Sequence, residues 1–298
     1  ILGDPKATRA LVALMNVHAV NGGAACHWGG PAALAEIMAS IHGFMFSTND
    51  RPWYDAYNFV NDAGHTENGV YALRANLGFD GLTFEDLRGF RSIESKLTGH
   101  GESHLNPEGV LLSNGPLSSA VGQCQGLAMA DKTAGNDRVT ILVLSDGASM
   151  EGEAKEAFSA IPGLAAKGRV DPFVMVLSDN QTKLSGRIPA DSFDMAPSFD
   201  AMQTLGWNVV DVEQGHDLQT VYQAIDSAVE SARADSSKPV LVRVKTVKGY
   251  GVKATAESAS GGLCYHLRAQ KELDATTGAR SCTDQTDVVP YAAGLNHS

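Results

Sequence analysis

Residues 142–186 read LVLSDGASMEGEAKEAFSAIPGLAAKGRVDPFVMVLSDNQTKLSG. Two apolar, β-branched runs, Val139 to Leu144 and Phe173 to Leu177, end in Ser145-Asp146-Gly147 and Ser178-Asp179-Asn180. Both read as buried parallel strands. Between them, Glu151 to Lys167 carries Phe158, Ile161 and Leu164 at helical spacing. The unit is strand, helix, strand, and a right-handed crossover sets both polar clusters at one sheet edge. In open α/β sheets that carboxyl edge is where ligands bind.

Asp146 or Asn180 alone would serve as a helix cap or a turn residue; together, on consecutive strands, they suit a hard divalent cation. Mg²⁺ asks for about six oxygens at roughly 2.0 to 2.1 Å and usually shares them with phosphates and water. Asp146, the Asn180 amide oxygen and the Thr182 backbone carbonyl supply three. Gly147 lets the backbone approach a phosphate at a strand-to-helix turn whose free N–H groups suit an anion.

SDG followed about thirty residues later by DN resembles the thiamine diphosphate motif, commonly GDG and then NN or DN. The surrounding text resembles transketolase. DGASMEGEAKEA is similar to that family's DGxxxEGxxxEA, SNGPLSSAVGQCQGLAMADK to TGPLGQGxxxAVGMAxAEK, and FRSIESKLTGHGES to FRQxxSKTPGHPE. The similarity runs in order from His18 to Gly251. It implies thiamine diphosphate and Mg²⁺, or Ca²⁺ or Mn²⁺ in its place, as cofactors, and transfer of a two-carbon ketol unit between sugars, often phosphorylated. The first component of a 2-oxoacid dehydrogenase and a non-catalytic module of the same fold are the alternatives; SKLTGH and GPL favour transketolase.

Residue roles follow from the same resemblance. His27, in CHWGG beside the family's SGHPG, faces the active site, and His100, in SKLTGH, faces the reacting carbon and substrate hydroxyls. His65, in NDAGH beside SNGH, contacts the diphosphate. The backbone of Gly115, Pro116 and Leu117 meets the aminopyrimidine and thiazolium region, and Ser118-Ser119 replace the following Gly-Gln. Ser145 replaces the first glycine of GDG, so its side chain either turns away from the diphosphate or hydrogen-bonds it. Glu151 and Glu156 match carboxylates at the family's subunit interface. The family's late histidine has no clear match; His266 takes its place only after a local shift.

With 298 residues, 43% of them apolar, the chain has enough material for one large α/β domain. Alternating helix and strand predict a doubly wound parallel sheet with helices on both faces, and the resemblance implies that this is the thiamine diphosphate-binding fold. We expect that domain over 1–255 and an unplaced polar tail over 256–298. A net charge of −11, without a basic cluster, argues against nucleic acid and anionic membranes, so metal and backbone are expected to hold the diphosphate. Four cysteines without paired spacing fit a reducing, cytoplasmic setting. The resemblance also implies a partner: a pyrimidine-binding domain or subunit, assembled with this chain as a dimer or heterotetramer.

Outside this unit, Asp4-Pro5 predicts a helix start, with Leu11, Leu14, Met15 and His18 on one face and Gly22-Gly23 as its stop. Later elements are expected at Ser198 to Leu205 (helix), Asn208 to Val212 (strand), Asp217 to Ala234 (helix) and Val240 to Thr246 (strand).

Overall fold

The computed structural model describes residues 3–47, 51–183, 186–256 and 266–267. The 256–298 tail lies, but for 256 and 266–267, outside the described residues. Five parallel strands make the main sheet: β1 (Tyr57–Asn61), β2 (Val139–Ser145), β3 (Phe173–Asp179), β4 (Asn208–Val212) and β5 (Val240–Lys245), in spatial order β1-β2-β3-β5-β4. Strands β2 and β3 are apolar on both faces because both faces are covered. Ile141, Val143, Val174 and Val176 pack toward α2 (Gly29–Ser47) and α6 (Leu218–Ala234). Leu142, Leu144, Met175 and Leu177 pack toward α4 (Ser119–Ala134) and α5 (Gly152–Ala165). The chain steps from β1 to β4 with its later crossovers on the second face, then returns to β5 with α6 on the first. Right-handed crossovers demand that change of face when the direction reverses.

Helix α5 contains Pro162, which has no N–H for the Phe158 carbonyl. The Trp207 indole N–H donates to that carbonyl at 2.8 Å, so the orphaned acceptor is satisfied within the core.

Helix α1 (Pro5–Asn21) starts as expected, with Asp4 accepting from the Lys6 N–H, but its buried face is different. Val12, Met15 and Ala19 point inward, while Leu14 and His18 are exposed. Small residues let α1 pack closely on α2 and on α3 (Glu67–Leu77), and the leucine is displaced from that contact. The segment expected as one helix over Ser198 to Leu205 is two short turns, Ala196–Asp200 and Met202–Leu205. Thr83 and Asp86 form a reciprocal cap of Phe84–Arg88.

Candidate active site

The exit of β1 leads to α3 against the first face, whereas the exit of β2 leads to α5 on the second. Such a divergence opens a crevice at the carboxyl edge. A cleft of about 400 Å³ lies there. His27, His65, His100, Gly115, Leu117, Ser145, Gly147, Glu151, Asn180 and Thr182 all line it. Asp146 sits beneath its floor, while Pro116 and Glu156 are exposed and outside its wall.

Asp146 is 1% exposed. Its carboxylate accepts the Gly147 N–H at 2.8 Å and the Gln181 N–H, and among the described residues it makes no ion pair. Burial, with the nearby Asp179 charge adding, pushes its pKa up to about 7 against those two N–H groups and the Lys248 charge. Asp179, by contrast, is ion-paired with Lys245 and Arg243. Asn180 Oδ1 accepts from the Thr182 N–H at 3.0 Å and from its hydroxyl, which folds residues 180–182 over the carboxylate. A Cβ at Gly147 would meet only ordinary contacts from protein, at 3.7 Å and beyond. Ser145 turns its hydroxyl to the Ala148 N–H at 3.2 Å, capping its own turn.

The opposite wall carries the histidines. His27 and His65 stand with ring centroids 5.1 Å apart. The His27 carbonyl accepts from Asn16 at 2.8 Å and Asn68 at 2.9 Å, which fixes its backbone. The described strand His266–Leu267 pairs antiparallel with Cys26–His27, placing His266 opposite His27 in register. The His100 loop is tied down by Asn114, whose Oδ1 accepts from the Gly101 N–H at 2.7 Å and whose Nδ2 donates to the Asn61 carbonyl and to Glu67. Gly64 permits that approach: a Cβ there would lie 2.5 Å from the His100 ring. Burial, with the Arg91 charge adding, holds the His100 pKa below the ordinary histidine value.

Two lysines that the sequence reading missed, Lys183 and Lys248, also line the cleft. Lys248 is 7% exposed and donates to the Lys183 carbonyl at 3.0 Å. A chain acidic overall thus presents cations locally, and not metal and backbone alone. The available signal was KTVKGYG: β5 lies beside β3, so residues just after it reach the same edge.

Fold and cleft together define a doubly wound α/β domain whose carboxyl edge carries a cleft lined by three histidines and two lysines above a buried carboxylate. The chain belongs to the transketolase family: residues 5–275 match the family described as transketolase, thiamine diphosphate binding domain. It is 33% identical over 242 residues to transketolase 10 of Craterostigma plantagineum, covering 78% of this chain and 34% of that protein. Transketolase 1 of Vibrio cholerae is 31% identical over 258 residues, covering 83% and 36%. The solved transketolase of Pichia stipitis in complex with sedoheptulose-7-phosphate superposes with TM-score 0.69 at 26% identity, over 98% of this chain and 43% of that one. The Campylobacter jejuni transketolase gives TM-score 0.72 at 24% identity, over 98% and 46%, a likeness of fold. The chain spans about a third of the length of the curated relatives it matches.

The residues present fit the family's cofactor. A buried carboxylate that makes no direct ion pair among the described residues suits a cation, and a glycine turn beside two lysines suits a diphosphate.

Proposed function

We propose that the cleft binds thiamine diphosphate with a divalent cation, Mg²⁺ or Ca²⁺ or Mn²⁺ in its place. Asp146, Asn180 and the Thr182 carbonyl would hold the metal; Gly147, His65 and Lys248 would hold the diphosphate. Gly115 and Leu117, which line the cleft, would meet the ring system, with Pro116 between them in the same turn. Bound thiamine diphosphate supplies the electron sink for breaking and making a ketose carbon–carbon bond. His27 and His100 hydrogen-bond the sugar hydroxyls and move protons at them.

The reaction we assign is transfer of a two-carbon ketol unit between sugars, completed by a pyrimidine-binding domain on the same or another polypeptide. Glu151 and Glu156, both exposed, would meet that partner or a second copy of this chain. Cys26 and Cys124 are buried free thiols, which fits a reducing cytoplasm. Among the described residues no helix is long and apolar enough to cross a membrane.

One observation carries this reading: Asp146 and Asn180 end adjacent parallel strands beneath a cleft walled by His27, His65 and His100. Titration of the chain with thiamine diphosphate in the presence of Mg²⁺ tests it, with saturable binding expected. Absence of binding both to the chain and to its complex with a transketolase pyrimidine domain would overturn it.

A further inference from the structure

We propose that His216 is a positioning residue for the diphosphate, because it clamps the turn Val247–Tyr250 and so holds Lys248 in the cleft wall. The inference rests on the assignment of that cleft to a diphosphate.

His216 lies in the connection between β4 and α6, far from the cleft in sequence. Its Nε2 accepts from the Val247 N–H at 2.8 Å, which places the ring hydrogen on Nδ1. Nδ1 then donates to Glu36 Oε2 at 3.1 Å. Glu36 is itself fixed, since its carboxylate pairs with Arg9 at 2.5 Å and the Arg9 Nε donates to the Ala32 carbonyl at 2.9 Å. The anchor therefore reaches back to α1 and α2. Hydrogen bonds at both ring nitrogens leave the imidazole one orientation.

The same ring holds the other end of the turn. Tyr250 stacks on His216 with centroids 3.6 Å apart and planes 3° from parallel, and the Arg9 guanidinium stands 4.8 Å from the Tyr250 ring centroid. The Tyr250 N–H donates to the Val247 carbonyl at 3.1 Å, closing the turn, and Gly249 adopts φ +77° within it. Val247 and Tyr250 are 43% and 38% exposed, so core packing does not immobilise the two ends of the turn, and His216 grips both; between them the Gly249 N–H donates to the Gly29 carbonyl at 3.0 Å. Lys248 sits between the two gripped residues, and its long side chain gains affinity for an anion only if the backbone that carries it is already ordered.

Calorimetry on the full chain with inorganic pyrophosphate and Mg²⁺, repeated with thiamine diphosphate, tests this. Lys248→Ala should weaken pyrophosphate binding roughly tenfold, as expected for loss of a charge-assisted hydrogen bond. His216→Ala should weaken it roughly five- to tenfold and accelerate hydrogen exchange of the Val247 amide. His216→Gln, which retains an acceptor, should recover most of the affinity. In the Lys248→Ala background the His216→Ala loss should shrink to less than twofold. A merely structural histidine would instead give additive losses, and that result overturns the proposal, as does wild-type affinity in His216→Ala alongside weakened Lys248→Ala. If Lys248→Ala binds like wild type, the diphosphate role of Lys248 fails and the clamp loses its purpose. Should His216→Ala not fold, His216→Phe keeps the stack, removes the acceptor and is expected to show the same loss.

Discussion

The Gln181 N–H donates to the Asp146 carboxylate across the ends of β3 and β2, and Gln181 does so from a left-handed backbone, φ +59°. That conformation costs a non-glycine residue about 1 kcal/mol or more. Strain of this kind persists where the surrounding structure over-determines it, commonly at ligand sites. Here it brings the 180–182 segment over the carboxylate, so that Asn180 and Thr182 converge with Asp146.

Thiamine diphosphate binding is accordingly expected to require a hard divalent cation, and Asp146→Ala to abolish it. Without the metal, a diphosphate would face the buried Asp146 carboxylate with no divalent cation to offset the repulsion. Calorimetry with Mg²⁺ and with EDTA checks this; equal affinity in EDTA would refute the metal site.

The sheet and the Asp146 and Asn180 pair were legible because strand periodicity and strand-end residues are local signals. The α1 face was not, because its contact is made by small residues such as Ala19, whose burial depends on how closely α2 and α3 approach. Ser145 stayed open because a hydroxyl chooses its partner from the turn that forms, here the Ala148 N–H. Lys248 and His216 were hidden for a different reason. Their places follow from β5 inserting between β3 and β4, a long-range order that no window of sequence contains.

His100 is expected to serve turnover and not cofactor affinity. With its pKa lowered by burial, the ring is neutral at pH 7 and able to accept a proton or hydrogen bond. His100→Ala in the assembled enzyme should reduce kcat by about 10² to 10⁴, with thiamine diphosphate affinity by calorimetry nearly unchanged. Full turnover with several ketose donors would show that the loop is only a wall.

Ser118 adopts φ +71°, and its buried hydroxyl has no hydrogen-bond partner among the described residues. Glycine accepts that backbone without strain. Ser118→Gly should therefore stabilise the chain by up to about 1 kcal/mol, read as a higher urea midpoint at unchanged slope. A lower midpoint would mean that the hydroxyl has a use.

Asp62 is buried and caps α4, accepting from the Ser118 N–H at 3.0 Å and the Ala120 N–H at 3.2 Å. Burial, with the Glu153 charge adding, raises its pKa to about 6. The folded chain holds this proton more tightly than the unfolded chain, so the contribution is complete below the ordinary carboxylate value and lost as pH rises through about 6. Relative to Asp62→Asn, the wild type should gain about 1 kcal/mol on going from pH 8 to pH 5. Urea unfolding of both proteins at the two pH values measures it; an equal change in both would remove Asp62 as the cause.

The chain by itself is expected to be inactive in ketol transfer. Thiamine chemistry needs the proton at its C2 removed, and the residues assigned above would serve the diphosphate, the metal and the sugar; the carboxylate that activates the aminopyrimidine is expected from a second domain. The surface bears the marks of such a contact: Leu105, Leu111 and Leu117 are exposed, and Gly122 and Gly126 of α4 face open space. Glu151 and Glu156 are exposed on the adjoining α5 segment. Obligate interfaces often bury more than about 2,000 Å², and a symmetric pair would present two cleft edges to two partner domains. Purified chain with thiamine diphosphate and Mg²⁺ should show no turnover, and an added transketolase pyrimidine domain should restore it while light scattering reports assembly. Robust turnover from a 31.4 kDa monomer would overturn the requirement for a partner.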